Sequence, residues 1–413
     1  MLATVPVPAK RVQDYVQAAG ADAVERLREA ARPLEGARLL HLNSTAFGGG
    51  VAELLFTQVA LLNDLGVETT WAVLEGSDEY FAVTKAVHNA LQGAPIEWTP
   101  SMAATYWDRI VANAGELPDD YDYYLIHDPQ PAAVIRVLEE EGRRRGRWLW
   151  RCHIDLSTPH PAVWEFFEPI VNRYDAAIFT MQDFVQPGVT GPELAFIPPS
   201  IDPLSVKNRP VSEDTMGEVL AAYGVDPARP IISQVSRFDP WKDPLGVIDA
   251  YRIAKREFPD LQLIMAGSLA SDDPEGMQYL DLTEDHREGD PDIHLLTNLQ
   301  GVGDLEISAF QQASSVVIQK STREGFGLVV AEAMWKRKPV VGGNVGGIRL
   351  QIVDGENGFL VESVESCAAR ICELLHDPGL REHMGDAAHG RVRDRFLSLR
   401  EVEDDLRLAA RVT

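Results

Sequence analysis

The stretch Arg323-Glu324-Gly325-Phe326-Gly327-Leu328-Val329-Val330-Ala331-Glu332 places two carboxylates eight residues apart around a glycine-rich turn. The apolar run 315–319 before it reads as a strand, and 327–335 reads as a helix. Strand, turn and helix in that order form the repeating unit of a parallel α/β sheet. Gly325 and Gly327 let the backbone approach a ligand closely and leave the first N–H groups of the helix open to an anion. Glu332 lies about two turns into the helix, too far along to reach the ligand atom that Glu324 would hold. A pair with this reach suits an elongated ligand, a sugar at one end and a ribose at the other. The same residues also fit a plain helix start with one capping acid and one surface acid.

Outward from this stretch, short apolar strands alternate with amphipathic helices. In the first half, strands are expected at 38–43, 69–74, 123–127, 148–153, 176–180 and 194–197, with helices at 50–65, 84–91, 131–141 and 161–171. A proline-rich stretch, 197–210, breaks the pattern and reads as a linker. A second series then places strands at 231–236, 262–266, 293–297, 315–319 and 339–342, and helices at 244–258, 304–313, 327–335 and 363–376. The tail, 378–412, reads as helix. Two Rossmann-like, doubly wound α/β domains are expected, 1–205 and 206–394, facing each other across a cleft.

The chain has 413 residues, enough for two domains that each bury a core. Its formal net charge of −25 argues against a general nucleic-acid binder or a binder of anionic membranes. An anionic ligand would need a local basic pocket. Three cysteines, Cys152, Cys367 and Cys372, give neither a disulfide framework nor zinc spacing. Residues 1–10 lack a basic start followed by an apolar run, and no stretch approaches the length of a membrane span. A cytoplasmic soluble protein is the expectation.

In open α/β sheets, ligands bind beyond the carboxyl ends of the strands. The unusual residues of this chain gather there: Asn43 and Gly48-Gly49-Gly50 after the first strand, His127-Asp128 after 123–127, and Arg151, His153 and Asp155 at the end of 148–153. Arg237 and Lys242 follow 231–236 across an Asp-Pro-Trp turn. The glycine run is not a dinucleotide fingerprint; it either lets a helix start or offers amides to a phosphate or hydroxyl. Arg237 and Lys242 either pair with Asp239 and Asp243 or hold a diphosphate. His153 is either a core histidine bonded to a backbone carbonyl or a ligand-facing one. Asp128 either caps the helix after Pro131 or holds a sugar hydroxyl. Asp290-Pro291-Asp292 has the spacing of a cation site but precedes a strand, so it reads as a turn. The run Ser271-Asp272-Asp273-Pro274-Glu275 also reads as a turn, one that opens a helix.

With these residues in view, the chain resembles the retaining glycosyltransferases of family 4, which have the two-domain GT-B architecture. The match covers nearly the whole chain. It rests on the E-x7-E pair Glu324 and Glu332, on Arg237 with Lys242, on His153 and on Asp128. Runs such as Trp71-Ala72-Val73-Leu74-Glu75-Gly76 and Val235-Ser236-Arg237-Phe238-Asp239-Pro240-Trp241-Lys242-Asp243-Pro244 are similar to the group that holds trehalose glycosyltransferring synthases and trehalose phosphorylases, with the synthases nearest.

The resemblance implies reversible transfer of glucose from a nucleotide diphosphate glucose (ADP- or UDP-glucose) to free glucose, giving α,α-trehalose with retention. His153, Arg237, Lys242 and Glu324 would be catalytic. Gly49, Gly50, Asn298, Gly325, Phe326, Gly327, Leu328 and Glu332 would join Arg237, Lys242 and Glu324 around the donor. Asn43, Asp128, His153 and Asp155 would hold the acceptor. The N-terminal domain would be the acceptor side, the C-terminal domain would bind the nucleotide sugar, and the last helix, 395–413, would pack back on the first domain. No cofactor or essential metal is implied, the nucleotide sugar being a substrate. The partners are small sugars rather than nucleic acid or membrane, with a homodimer left open. The competing readings are a trehalose phosphorylase, a transferase with another sugar acceptor, and a non-enzymatic binder of sugars or nucleotides.

Overall fold

A computed structural model describes residues 2–47, 49–269 and 274–412; Gly48 and the expected turn at 271–273 lie outside them. The chain divides into two compact units, Met1–Ser200 with Ser398–Thr413, and Ile201–Leu397. The sequence had put these divisions at 205/206 and 394/395.

The first unit is built on strands β1 (Ala3–Thr4), β2 (Arg38–Asn43), β3 (Glu68–Val73), β4 (Tyr123–His127), β5 (Arg147–Cys152), β6 (Ala176–Phe179) and β7 (Glu193–Phe196). Among the described residues they form one sheet in the order β1-β3-β2-β4-β5-β6-β7, parallel except for β1 against β3. The second unit has β8 (Ile231–Val235), β9 (Gln262–Gly267), β10 (Ile293–Thr297), β11 (Val316–Gln319), β12 (Val340–Gly343) and β13 (Gly358–Val361), in the order β10-β9-β8-β11-β12-β13 and wholly parallel. Every residue of β4, β8, β9 and β11 is buried. Helices cover both faces of such strands, which is why they read as continuous apolar runs rather than alternating ones.

The strand orders locate the binding edges. In the first sheet the chain runs from β2 outward to β3, then returns to β4 on the other side of β2. In the second it runs from β8 through β9 to β10, then returns to β11 on the other side of β8. The β2/β4 and β8/β11 gaps are therefore the topological switch points, where crossovers diverge and leave a crevice at the strand ends.

Several helices escaped the sequence reading. Ala21–Ala31 and Pro100–Glu116 bury stripes that depend partly on alanine, namely Val24, Leu27, Ala30 and Ala31 in one and Tyr106, Ile110, Asn113 and Ala114 in the other. Glu213–Ala222 and β13 were also unassigned, while Pro274–Arg287 is the helix expected to open after the acidic run 271–275. The helix expected at 84–91 starts earlier, at Asp78, because Ser77 accepts a hydrogen bond from the Tyr80 N–H at 3.3 Å.

The tail is two helices, Pro378–Arg395 and Ser398–Arg411, broken at Phe396-Leu397. The first stays with the second unit. The second packs on Ala21–Ala31 and Gly50–Asp64 and buries Leu399, Val402, Leu406 and Ala409. Among the described residues no helix is long and apolar enough to cross a membrane.

Candidate active site

In the second unit the switch point is dense with polar groups. Gln319 ends β11, and the chain continues through Lys320, Ser321 and Glu324. Glu324 Oε2 accepts from Lys242 Nζ at 2.5 Å, from Ser321 Oγ at 3.2 Å and from Gln319 Nε2 at 3.5 Å. Gln234 at the end of β8 supports the other side, donating to the Lys242 carbonyl at 3.0 Å and to Ser236 Oγ at 3.1 Å. Lys242 thus pairs with Glu324 and not with Asp243, whose carboxylate is bound by Lys320. Arg237 pairs with Asp239 at 3.3 Å yet keeps 54% of its side chain exposed. It stands at a strand end with its guanidinium available.

The turn after Glu324 is set by glycine. Gly327 has φ 84°, a left-handed conformation that costs side chains with a Cβ, and it opens the helix Leu328–Trp335 with no side-chain cap. The first N–H groups of that helix therefore project from its end. Gly347 closes the turn from behind: its N–H reaches the Glu324 carbonyl at 3.1 Å, and a Cβ there would stand 2.4 Å from Phe326 Cα. Phe326 is buried against Phe396 at 5.4 Å, and its carbonyl accepts from Gln351 at 2.6 Å. Glu332 is 2% exposed, with Lys207 at 3.5 Å, so it is not the surface acid of the plainer reading.

Asn298, expected near the donor, follows β10. Its carboxamide clamps Leu269, accepting from the N–H at 2.8 Å and donating to the carbonyl at 3.0 Å, which commits the side chain to the loop itself. Asp290 and Asp292 form a turn that holds Lys255 at 3.1 and 2.8 Å, with Arg229 at 2.7 Å from Asp292. Arg229 foremost holds the Asp292 carboxyl down at about 2.

In the first unit the switch point carries Asp128 and His153. Asp128 follows β4 with φ 63°, a conformation rare for a residue with a side chain. Its N–H donates to the Arg151 carbonyl, and its Oδ1 accepts from the His153 N–H, both at 2.8 Å. Burial pushes its carboxyl up to about 7 against the opposing pull of that N–H and of Arg151. It caps no helix: the next one begins at Val134 without a side-chain cap. His153 is partly exposed, and its ring meets His127 rather than a backbone carbonyl, with Nε2 3.0 Å from His127 Nδ1.

Asn43 and Asp155, expected at the acceptor, are both buried. Asn43 accepts from Trp71 Nε1 at 2.8 Å and donates to the Thr45 carbonyl at 2.7 Å. Asp155 accepts from the Ser157 N–H at 2.9 Å, closing a turn. Gly49 is the extended N-cap of Gly50–Asp64, again without a side-chain cap, and a Cβ on Gly49 would meet open space.

The sequence reading missed one cluster outright. Arg151 is buried and donates to both Asp405 oxygens at 3.0 and 2.9 Å, to the Ile197 carbonyl at 3.1 Å and to Glu401, which also takes the Ser200 hydroxyl. Its partners lie about 250 residues away, beyond any local signal. Burial raises the Asp405 carboxyl against the pull of Arg151.

Parallel sheets with charged groups at their switch points, an uncapped helix start and an ammonium–carboxylate pair suit the handling of sugars and phosphates. The glycosyl transferases group 1 family matches residues 218–391, and the family described as trehalose synthase, N-terminal domain, matches 41–186. The protein is a glycosyltransferase enzyme. Trehalose synthase of Rubrobacter xylanophilus is 48% identical over all of this chain and 99% of its own, and that of Thermococcus litoralis 46% identical over 95% of each. The chain belongs to the trehalose synthase family. A trehalose phosphorylase of Pleurotus pulmonarius is more distant, 29% identical, and this chain covers 58% of its length. The fold is the GT-B fold of α,α-trehalose 6-phosphate synthase from Burkholderia multivorans, with a TM-score of 0.72 over 91% of this chain and 98% of that one at 16% identity.

Proposed function

We propose that this protein makes α,α-trehalose by moving glucose from a nucleotide diphosphate glucose to free glucose with retention. Its kinship along the whole chain with trehalose synthases carries the product, and the phosphorylase reading is set aside because that kinship is weaker and partial.

The C-terminal unit would take the donor. Arg237 and Lys242 would stabilise the charge that grows on the departing diphosphate, which counts toward rate because it is strongest in the transition state. Glu324 would hold hydroxyls of the transferred glucose, with the amides of Phe326 and Gly327 beside it, and Glu332 would hold the ribose. The N-terminal unit would take the acceptor, with Asp128 and His153 at its switch point. The bond from the anomeric carbon to the diphosphate breaks as the bond to the acceptor oxygen forms on the same face. The acceptor proton passes to the leaving phosphate oxygen, so no side-chain nucleophile is needed. With two cations for the diphosphate, transfer needs no divalent metal. A cytoplasmic location belongs to the same reading, and cell fractionation tests it.

The experiment is product analysis with a panel of nucleotide glucoses and free glucose in the presence of a chelator. Trehalose is the expected product. Trehalose formed only after magnesium is restored would refute the metal-free mechanism. Turnover of trehalose with phosphate alone would restore the phosphorylase, and a different product from a panel of free sugars would change the acceptor.

A further inference from the structure

Three imidazoles in the N-terminal unit form an unbranched chain. His41 Nδ1 lies 2.9 Å from His127 Nε2, and His127 Nδ1 lies 3.0 Å from His153 Nε2. The rings stack at 20° and 19° between planes. The sheet register explains the geometry. His41 in β2 pairs across with Leu125, two residues before His127 in β4; His127 pairs with Arg151, two residues before His153. A step of two keeps a side chain on the same face, so the three rings climb one face of the sheet toward its carboxyl edge.

His41 and His127 are buried. Burial first, and the nearby Arg151 charge as well, lowers the pKa of all three rings, so they are neutral near pH 7. A neutral imidazole carries one N–H, and each of the two ring-to-ring bonds needs one proton. Only two arrangements meet both conditions: every ring protonated on Nδ1, or every ring protonated on Nε2. The tautomers are locked together, and the role of the outer His153 Nδ1 as donor or acceptor is set at the inner end, His41 Nε2.

That inner end is built for a guest. His41 Nε2 and Gln58 Nε2 are both buried without a hydrogen-bond partner among the described residues, and both residues line one cavity with Leu62, Leu125, Asp405 and Leu406. A water between two such atoms is the usual remedy for buried polar groups. The Gln58 amide nitrogen can only donate, whereas a water beside it can either donate to His41 Nε2 or accept from a protonated one, so the groups at this inner end select between the two arrangements.

We propose that His41 and His127 are positioning residues that lock the tautomer of His153 to their own, and that the groups facing His41 Nε2 in the cavity it shares with Gln58 select that tautomer for all three rings. That tautomer decides whether His153 Nδ1 donates to or accepts from a sugar hydroxyl; this last consequence rests on the reading of His153 as a sugar-facing residue, while the locked tautomers do not.

The test is long-range proton–nitrogen correlation NMR on the full chain with nitrogen-15 histidine near pH 7, read beside acceptor kinetics. Wild type is expected to show the three rings neutral and alike, all protonated on Nδ1 or all on Nε2. Gln58→Leu is expected to move all three together toward the other tautomer and to raise the acceptor KM about 3- to 10-fold, the worth of one hydrogen bond, with kcat less affected. Unlike tautomers in the wild type, or a His153 ring unmoved in a folded Gln58→Leu protein, overturns the relay. A tautomer shift with an unchanged KM upholds the relay and removes His153 from the sugar.

Discussion

Lys242 Nζ donates to Glu324 Oε2 at 2.5 Å although 82 positions separate the two residues, because β8 and β11 lie side by side and end at the same switch point. The proposed diphosphate ligand and the proposed sugar ligand are thus one ion pair. A nucleotide sugar would divide it, drawing the ammonium to phosphate while the carboxylate keeps Ser321 and Gln319.

Arg237→Ala and Lys242→Ala should both slow transfer, by roughly 2.7–4 kcal/mol in barrier if each stabilises the leaving group. Their effects on stability should differ. Arg237 is half exposed and its pairing contributes little. Lys242 and Glu324 keep only 14% and 11% of their side chains exposed, so Lys242→Ala should also lower the melting temperature. Single-turnover rates measured beside thermal melts decide it, and normal activity in the folded fraction of both variants would make the two residues structural.

Glu324→Gln should lower turnover more than nucleotide affinity, whereas Glu332→Ala should mainly weaken the nucleotide. Calorimetric titration with the nucleoside diphosphate, alongside kcat, separates the two. Equal losses of affinity would contradict the assignment of the carboxylates to opposite ends of the donor.

Arg151→Met should destabilise the fold by about 3–5 kcal/mol, since it leaves Glu401 and Asp405 buried without their cation. Replacing all three residues by apolar ones of similar size should cost much less. Urea unfolding of the single and triple variants measures this, and equal midpoints would show that the cluster gains more from its geometry than from charge balance.

Acid should weaken the protein through the histidine chain. His41 is held down at about 3 by burial, against about 6.5 in an unfolded chain, so the unfolded state binds the extra proton between those values. The stability this group contributes is present above about 6.5 and is lost as pH falls toward 3. Wild type should therefore lose about 1.4 kcal/mol per pH unit more than His41→Gln between pH 6 and 4. Asp128 acts in the opposite sense. Its carboxyl is raised to about 7, so its contribution is greatest at low pH and is lost as pH rises through 7. Asp128→Asn should flatten that opposing slope. Denaturation midpoints across pH 4–8 test both signs.

The sequence was most legible where one strand and one turn carry the information. The strand–turn–helix at Glu324, the positions of Arg237, Lys242 and His153, and most buried strands follow from local patterns. What escaped depends on register or on distance along the chain. His41 looks like any strand residue until β2 is set beside β4 with a two-residue stagger. Glu401 and Asp405 sit on a helix whose other residues read as amphipathic, and nothing local marks Arg151 as their partner. Asn43 and Asn298 were correctly placed at strand ends, yet both carboxamides serve the backbone and side chains around them, which short polar side chains do readily at turns.

The helix Ser398–Arg411 belongs to the unit that holds the first 200 residues. In sequence, the second unit is an insertion between Ser200 and Ser398. During synthesis, which proceeds from the N-terminus at about 5–20 residues per second, the inserted unit leaves the ribosome whole while the earlier one still waits for its last helix. Until that helix arrives, Arg151 has neither Glu401 nor Asp405. Completion of the first unit's buried charge cluster is therefore tied to the end of the chain, with the whole second unit lying between its halves in sequence.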